Sequence, residues 1–118
     1  MPTRKQIFAT ATFARVDVRR EESPEWKKAY VGTAQRIPVI IRESGLLQAV
    51  MYIQARGDAA DKECMKDIVA VVMPNHTVAQ FSAVLRTCSV REYMYWTQLT
   101  LDAIIWFKRI AKVELDPS

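Results

Sequence analysis

With 118 residues, the chain has the length of one domain and can bury about two-thirds of its unfolded surface in a single core. Hydrophobic residues make up 50% and charged residues 25%, which excludes a disordered chain, and three glycines are too few for the turns of a β-sandwich or barrel. The net charge is +4, and the excess lies in the first half of the chain. We predict an all-α fold, a compact single-domain bundle of about five to seven helices over residues 1–118. The basic half indicates either an anionic partner, such as nucleic acid, or a solvated surface.

The first predicted helix runs from Arg4 to Arg19. Projected at 100° per residue, one stripe of this helix is apolar, and we expect that stripe to be buried. Its members are Ile7, Ala11, Ala14 and Val18. Arg4, Arg15 and Arg19 line one edge beside the stripe, where they form either an ordinary solvated edge or a functional one.

A second helix is predicted to begin at Ser23-Pro24. Ser23 can cap the free backbone N–H groups of the first turn, and Pro24 suits the first helical position because no N–H is needed there. Pro38 either kinks this helix or opens a new one, since proline lacks the N–H that a helix interior requires. Gly45 is expected to end the segment in a left-handed backbone conformation.

Two further helices are predicted in the middle of the chain. The first covers Leu46–Arg56 and ends at Gly57. Its apolar residues at helical spacing are Leu46, Val50 and Ile53. The second follows the polar stretch 58–61 and ends near Met73, although its β-branched run IVAVVM is also compatible with a strand.

The end of the chain predicts two more helices, which start at pairs with capping-box spacing, Thr77 with Gln80 and Ser89 with Glu92. The last helix is long, from about Val90 to Lys112. Its apolar residues are Val90, Met94, Leu101, Ile104 and Ile105 on one side, and Tyr95, Leu99, Trp106 and Ile110 on the other. Because both sides are apolar, we expect a long, mostly buried C-terminal helix, either central in the bundle or also in contact with another subunit.

Residues with catalytic or metal-binding chemistry are sparse. His76 is the single histidine and lies in a predicted loop, and Cys64 and Cys88 show no CxxC spacing. One histidine and two cysteines cannot complete a zinc site without a carboxylate, so we expect two free thiols. No acidic residue is recognised in an apolar run that would raise the pKa of its carboxyl, and no glycine-rich phosphate loop occurs. We predict no catalytic residue, no metal and no cofactor, and therefore a protein that is not an enzyme and has no small-molecule substrate.

The location of the protein is predicted from what the sequence lacks. No run of 18 apolar residues and no signal-peptide pattern occurs, so we expect a cytoplasmic protein without a membrane span.

The aromatic residues of the last helix form either a stacking platform or, as their helical spacing favours, part of the core. We expect Trp96 or Trp106 to be substantially buried.

Two long blocks of the sequence carry a family resemblance. RIPVIIRESGLLQAVMYIQARG, from Arg36 to Gly57, and EYMYWTQLTLDAIIWFKRIA, from Glu92 to Ala111, resemble two blocks of the small helical subunit of the type III-B CRISPR complex, the Cmr complex. The opening from Arg4 to Val16 is similar in character. Ile37 stands where the family usually has Leu, and Ile110 where it has an aromatic residue; both replacements are apolar and leave the assignment intact.

The resemblance implies a non-catalytic subunit in antiviral defence, present in several copies. These copies would stack along a filament-like ribonucleoprotein opposite the backbone subunits, which cleave the target, and would contact each other, the backbone and large subunits and the guide RNA–target RNA duplex. Arginine and lysine suit phosphate contacts because they offer a bidentate fork and a point charge. We expect these contacts from seven cations: Arg15, Lys28, Arg36, Arg42, Arg56, Lys108 and Arg109. Any of them could instead pair with acidic residues of neighbouring subunits or stabilise helix C-termini.

Three alternatives stay open at this point. The small subunit of the related type III-A complex is also helical, although the Arg36–Gly57 block favours type III-B. A small basic helix-turn-helix DNA-binding regulator would need an exposed polar recognition helix. A purely structural bundle would make no nucleic-acid contact.

Overall fold

Six α-helices and one short 3₁₀ helix form the structure, a computed structural model that describes residues 2–116. The helices are α1 Arg4–Asp17, α2 Pro24–Ser44, α3 Leu46–Arg56, α4 Ala59–Val72, α5 Val78–Thr87 and α6 Val90–Leu115, and the 3₁₀ helix Val18–Glu21 follows α1. No strand occurs between residues 2 and 116. The predicted all-α class is therefore confirmed, and the β-branched run in α4 is helical.

Side-chain caps define where most of the helices begin. The hydroxyls of Ser23 and Ser89 accept hydrogen bonds from backbone N–H groups three residues later, as predicted for these two starts. Complete capping boxes, in which side chain and backbone satisfy each other across three residues, begin α1 at Thr3, α4 at Asp58 and α5 at Thr77. Local hydrogen bonding thus fixes these boundaries independently of packing.

The corner between α2 and α3 is built around Gly45. α2 continues through the buried Pro38 to Ser44, so of the two alternatives for this proline, the start of a new helix is excluded. Gly45 has a φ of 93° and a ψ of 160°; the positive φ was expected, but these angles lie in a region that essentially only glycine adopts rather than in the left-handed helical region. The backbone N–H of Leu47 donates a hydrogen bond of 2.9 Å to the Tyr93 hydroxyl, which ties this corner to α6.

Every helix contributes to one hydrophobic core. Its large, fully buried side chains include Val16, Tyr30, Ile37, Leu46, Ile53, Ile68, Phe81 and Phe107. α1 and α6 run side by side in the same direction: Arg4 at the start of α1 pairs with Asp102 at 3.0 Å, and Arg20 in the 3₁₀ helix after α1 pairs with Glu114 near the end of α6. No helix among residues 2–116 is long and apolar enough to cross a membrane.

The buried face of α1 differs from the predicted one. Of the predicted stripe, Ile7, Ala14 and Val18 are exposed, and the buried residues are Phe8, Thr12 and Val16. The reason is tertiary, since α1 turns its arginine edge towards α4, where a buried carboxylate binds Arg15 and Arg19. The apolar pattern alone did not contain this interaction.

The long C-terminal helix is confirmed, but not all of its apolar residues are buried. Val90 and Met94 are 78% and 66% exposed, and Tyr95 and Ile105 are exposed as well. Trp96 and Trp106 are both half-buried and pack against the core. α6 therefore buries apolar residues of both predicted sides, such as Ile104 and Leu99, and also leaves apolar residues of both sides exposed.

Candidate nucleic-acid interface

A buried carboxylate holds α1, α2 and α4 together. Asp67 of α4 is inaccessible to solvent. Arg15 donates to its Oδ1 through Nε and Nη2, at 3.1 and 2.7 Å. Arg19 donates to Oδ2 at 3.0 Å and to Oδ1 at 2.8 Å, and the Tyr30 hydroxyl donates to Oδ2 at 2.6 Å. A charge removed from water is tolerated when it is both paired and hydrogen-bonded, and Asp67 meets both conditions.

The same cluster shifts three pKa values upward. Burial, with the nearby negative charge of Asp67, raises the pKa of Tyr30 well above its ordinary value, so its hydroxyl stays protonated and donates to Asp67. The hydrogen bond to Asp67 raises the pKa of the Arg19 guanidinium. Burial also raises the pKa of the Cys64 thiol, which keeps this cysteine protonated and unreactive. The cluster thus has a structural role, because it links α1 and α2 to α4.

Four of the predicted RNA-binding cations are exposed and have no hydrogen bond or ion pair within residues 2–116: Lys28, Arg42, Arg56 and Lys108. Two of them lie on the outer stripe of α2, a row of unburied residues at helical spacing. The outer stripe consists of Lys28, Gly32, Gln35, Val39 and Arg42. These cations carry charge that nothing in the described part of the chain neutralises.

The cations of α6 lie beside this stripe. Lys108, Arg109 and Lys112 border a shallow groove together with Gln35 of α2. The Arg109 guanidinium lies over the Trp106 ring, 5.7 Å from its centroid, which holds this charge at the surface. We call the outer stripe and these three cations the α2–α6 surface.

Arg36 and Arg56 extend the α2–α6 surface towards α3. Arg36 Nη2 lies 3.3 Å from Asp61 Oδ1, and its side chain is largely exposed. A Cβ atom on Gly57 would lie 2.8 Å from the Cβ of Asp61, so the end of α3, with Arg56, also adjoins Asp61. Of the seven predicted cations, three therefore lie on α2 itself and two, Lys108 and Arg109, border a groove beside it.

Arg15 is the one predicted cation that lies elsewhere. Its guanidinium is engaged by Asp67, and it lines a separate groove with Lys62 and Lys66 of α4 that extends to His76. A contact of Arg15 with RNA stays a prediction. Lys62 and Lys66 are exposed and have no partner within the described residues; their spacing of four on a helix was the signal in the sequence that could have identified them.

The structural role of Asp67 was not predicted from the sequence. Asp67 stands directly before the apolar run IVAVVM and is completely buried, but nothing in the local sequence distinguishes it from a surface acid. Cys64 and Cys88 are both free thiols, and His76 is exposed, with its Nδ1 2.9 Å from the Pro74 carbonyl oxygen. Between residues 2 and 116, no three His, Cys, Asp or Glu side chains are grouped so as to hold a metal ion.

Fold and surface together define a class: a small all-α protein with a buried ionic cluster and unneutralised cations on exposed helices. The model of the family described as CRISPR-associated protein (Cas_Cmr5) matches residues 4–114. The chain therefore belongs to the Cas_Cmr5 family, and the resemblance found in its sequence is confirmed.

Individual proteins agree with this assignment. The chain is 29% identical over 116 residues to the CRISPR system Cmr subunit Cmr5 of Thermus thermophilus, covering 98% of this chain and 99% of that protein. Its fold matches the crystal structure of a CRISPR-associated Cmr5 family protein from the same organism with a TM-score of 0.88 and 27% identity, covering 98% and 99% of the two chains.

Proposed function

We propose that this chain is the non-catalytic small subunit of a type III-B CRISPR effector, the Cmr complex, and works in the cytoplasm in antiviral defence. The family assignment supports this proposal, since the relative from Thermus thermophilus is named as a Cmr subunit. Several copies stack along the complex, opposite the backbone subunits. In this proposal target cleavage belongs to other subunits, and the chain contributes binding.

The α2–α6 surface is proposed to hold the guide RNA–target RNA duplex by contacts to its phosphates. The single observation that carries this proposal is the set of exposed cations without an internal partner around α2, which includes Lys28, Arg42, Arg56 and Lys108. Such cations bind phosphates without reading bases, which suits a subunit that must accept any guide sequence. Arg36 and Arg109 reinforce the same surface, and Arg15 supports it from the neighbouring groove.

The exposed apolar face of α6 is proposed to contact neighbouring subunits. Val90, Met94, Tyr95 and Ile105 present large apolar side chains to solvent in the single chain. Scattered apolar residues are normal on protein surfaces, but Val90 and Met94 lie one turn apart on one helix. A further copy of this chain or another Cmr subunit covers this face in the proposed assembly.

A helix-turn-helix DNA-binding regulator is not favoured, because the family model that matches residues 4–114 of this chain describes CRISPR-associated proteins. The two functions differ in the nucleic acid bound. A regulator binds a specific duplex DNA far more tightly than RNA, whereas the proposed subunit binds RNA regardless of sequence and, as a single protomer with few phosphate contacts, only weakly.

The test is a charge-neutralised variant, Arg36→Ala with Arg42→Ala, reconstituted with the other Cmr subunits and guide RNA. Target-RNA affinity is measured across a salt series. Each cation–phosphate pair that the variant removes should lower the salt slope by about one unit and weaken binding equally for all sequences. Arg86→Ala with Arg91→Ala removes the same charge from two exposed arginines that line none of the grooves described here and is the matched control. If assembly is intact and the first variant keeps both affinity and slope, these arginines do not bind RNA.

A further inference from the structure

The groove between α2 and α3 is lined by an aromatic side chain, Tyr52, as well as by Arg36. Contacts to phosphates account for the arginine but not for the aromatic ring. Tyr52 of α3 and Val39 of α2 line the groove and are 53% and 50% exposed. Arg36 lines the groove near the end of α3, and Glu43 and Ser44 line it near the corner at Gly45. Its volume of about 710 Å³ lies within the range of small-ligand sites.

Tyr52 differs from the other exposed aromatic residues in having no partner. Phe13 lies under the Arg20 guanidinium at 6.0 Å, and Tyr95 packs edge-on against Trp96 at 5.3 Å. Tyr52 has neither a ring contact nor a hydrogen bond to its hydroxyl within residues 2–116. About half of the Tyr52 side chain is open to solvent, so this part of the ring is accessible to a ligand.

Two arginines lie near this ring. Arg36 lines the groove with Tyr52, and Arg56 follows Tyr52 by one helical turn on the same face of α3. The Arg36 guanidinium lies near Gly32, which also lines the groove, with Nη1 3.5 Å from the position that a Cβ of Gly32 would take. An aromatic ring flanked by arginines is the arrangement with which proteins bind single-stranded nucleic acid.

We propose that this groove binds one unpaired RNA nucleotide, whose base stacks on Tyr52 while Arg36 and Arg56 contact its phosphates. The proposal rests on the RNA-binding function proposed above and identifies the element of RNA that this groove takes. A paired base offers no free face, because its neighbours in the duplex already stack on it. Glu43 and Ser44, at the other end of the groove, supply the polar groups that a base edge can hydrogen-bond.

The test compares Tyr52→Leu and Tyr52→Phe in the reconstituted complex. Leucine keeps apolar bulk but removes the aromatic face, whereas phenylalanine keeps the ring. Targets are either fully complementary to the guide or carry a single mismatched nucleotide at successive positions. We expect Tyr52→Leu to weaken binding about tenfold for targets whose unpaired nucleotide reaches the groove, with an unchanged salt slope because no charge is removed. Tyr52→Phe and all fully paired targets should behave as in the parent complex.

The outcomes separate this proposal from the proposed function. If Tyr52→Leu binds every target like the parent while Arg36→Ala with Arg42→Ala loses affinity and salt slope, the groove does not bind a nucleotide and RNA holding stands. If the arginine variant is also unaffected, RNA holding by this surface fails as well. If Tyr52→Leu blocks assembly with the other subunits, the groove is a protein contact and the nucleotide proposal is wrong. Since Tyr52 is half exposed, thermal unfolding of the variants should match that of the parent and exclude misfolding as the cause.

Discussion

Asp67 determines how α1 lies on the bundle, and no local sequence rule identifies it. Its partners Arg15, Arg19 and Tyr30 come from two other helices and the turn after α1, between 37 and 52 residues away along the chain. In the sequence Asp67 is one acid at the edge of an apolar run, and Arg15 and Arg19 resemble a solvated helix edge. Only the fold brings the four side chains together, which is why the buried face of α1 was assigned incorrectly.

Removing the central carboxylate should destabilise the protein strongly. Asp67→Ala leaves Arg15, Arg19 and the Tyr30 hydroxyl without their shared acceptor, and breaking a buried ion pair in this way costs about 3–5 kcal/mol, with the lower end expected because Arg15 is partly exposed. Asp102→Ala, which breaks the exposed pair with Arg4, should cost about 1 kcal/mol or less. Urea unfolding measures both. Equal losses of stability for the two variants would show that Asp67 does not link the helices as described here.

Stability should fall at alkaline pH because of Tyr30 and Cys64. Burial raises both pKa values in the folded chain, so the unfolded chain loses these protons at lower pH than the folded chain does. Their contribution to stability is therefore complete below the ordinary pKa values, about 9 for the thiol and about 10 for the phenol, and declines as the pH rises above them, by up to about 1.4 kcal/mol per pH unit and group.

The measurement is the urea midpoint between about pH 8 and 11 for the parent, Cys64→Ala and Tyr30→Phe. Relative to its own value at pH 8, Cys64→Ala should delay the onset of the decline, and Tyr30→Phe should reduce its slope above about pH 10. Parallel curves for all three proteins would contradict the raised pKa values.

At the scale of the helices, the parts governed by local hydrogen bonding were predictable. The starts at Ser23, Thr77 and Ser89 follow from hydroxyl caps, and Gly45 was recognised as a helix end because glycine tolerates positive φ. The burial of helix faces was less predictable. Part of the apolar surface of α6 was expected inside but is exposed, because a pattern of apolar residues cannot distinguish a core contact from a contact with another subunit.

Two glycines should respond in opposite ways to substitution by alanine. At Gly45 a side chain is strained by the φ of 93°, and its Cβ would lie 3.3 Å from the Tyr93 hydroxyl, so Gly45→Ala should destabilise the chain by about 1–2 kcal/mol. Gly32 lies within α2 and its Cβ would make an ordinary contact, so Gly32→Ala should stabilise by about 0.5–1 kcal/mol. Thermal or urea unfolding distinguishes them. A stabilised Gly45→Ala variant would refute the role given to this corner.

At the scale of the whole molecule, which measures 42 × 40 × 24 Å, the sequence identified the family and most of the candidate surface but not its arrangement. Arg36, Arg42 and Arg56 were chosen because they flank helix breaks, and Lys108 and Arg109 because they end an apolar block. Arg36 and Arg42 lie on α2 itself, whereas Lys108 and Arg109 reach a groove beside α2 only because α6 packs against it. The pairing of Arg15 with Asp67 and the open Tyr52 ring likewise depend on three-dimensional neighbours.

The most direct test of the account is to assemble the Cmr complex with and without this chain and to measure target-RNA binding across a salt series together with the cleavage rate at saturating target. Because the chain is proposed to bind phosphates and to contribute no chemistry, omitting it should lower the affinity, and the salt slope should fall by about one unit for each phosphate that the chain no longer neutralises, while the saturated cleavage rate stays unchanged. An assembled complex that binds target equally well without the chain, or one that loses cleavage at full saturation, would contradict the account.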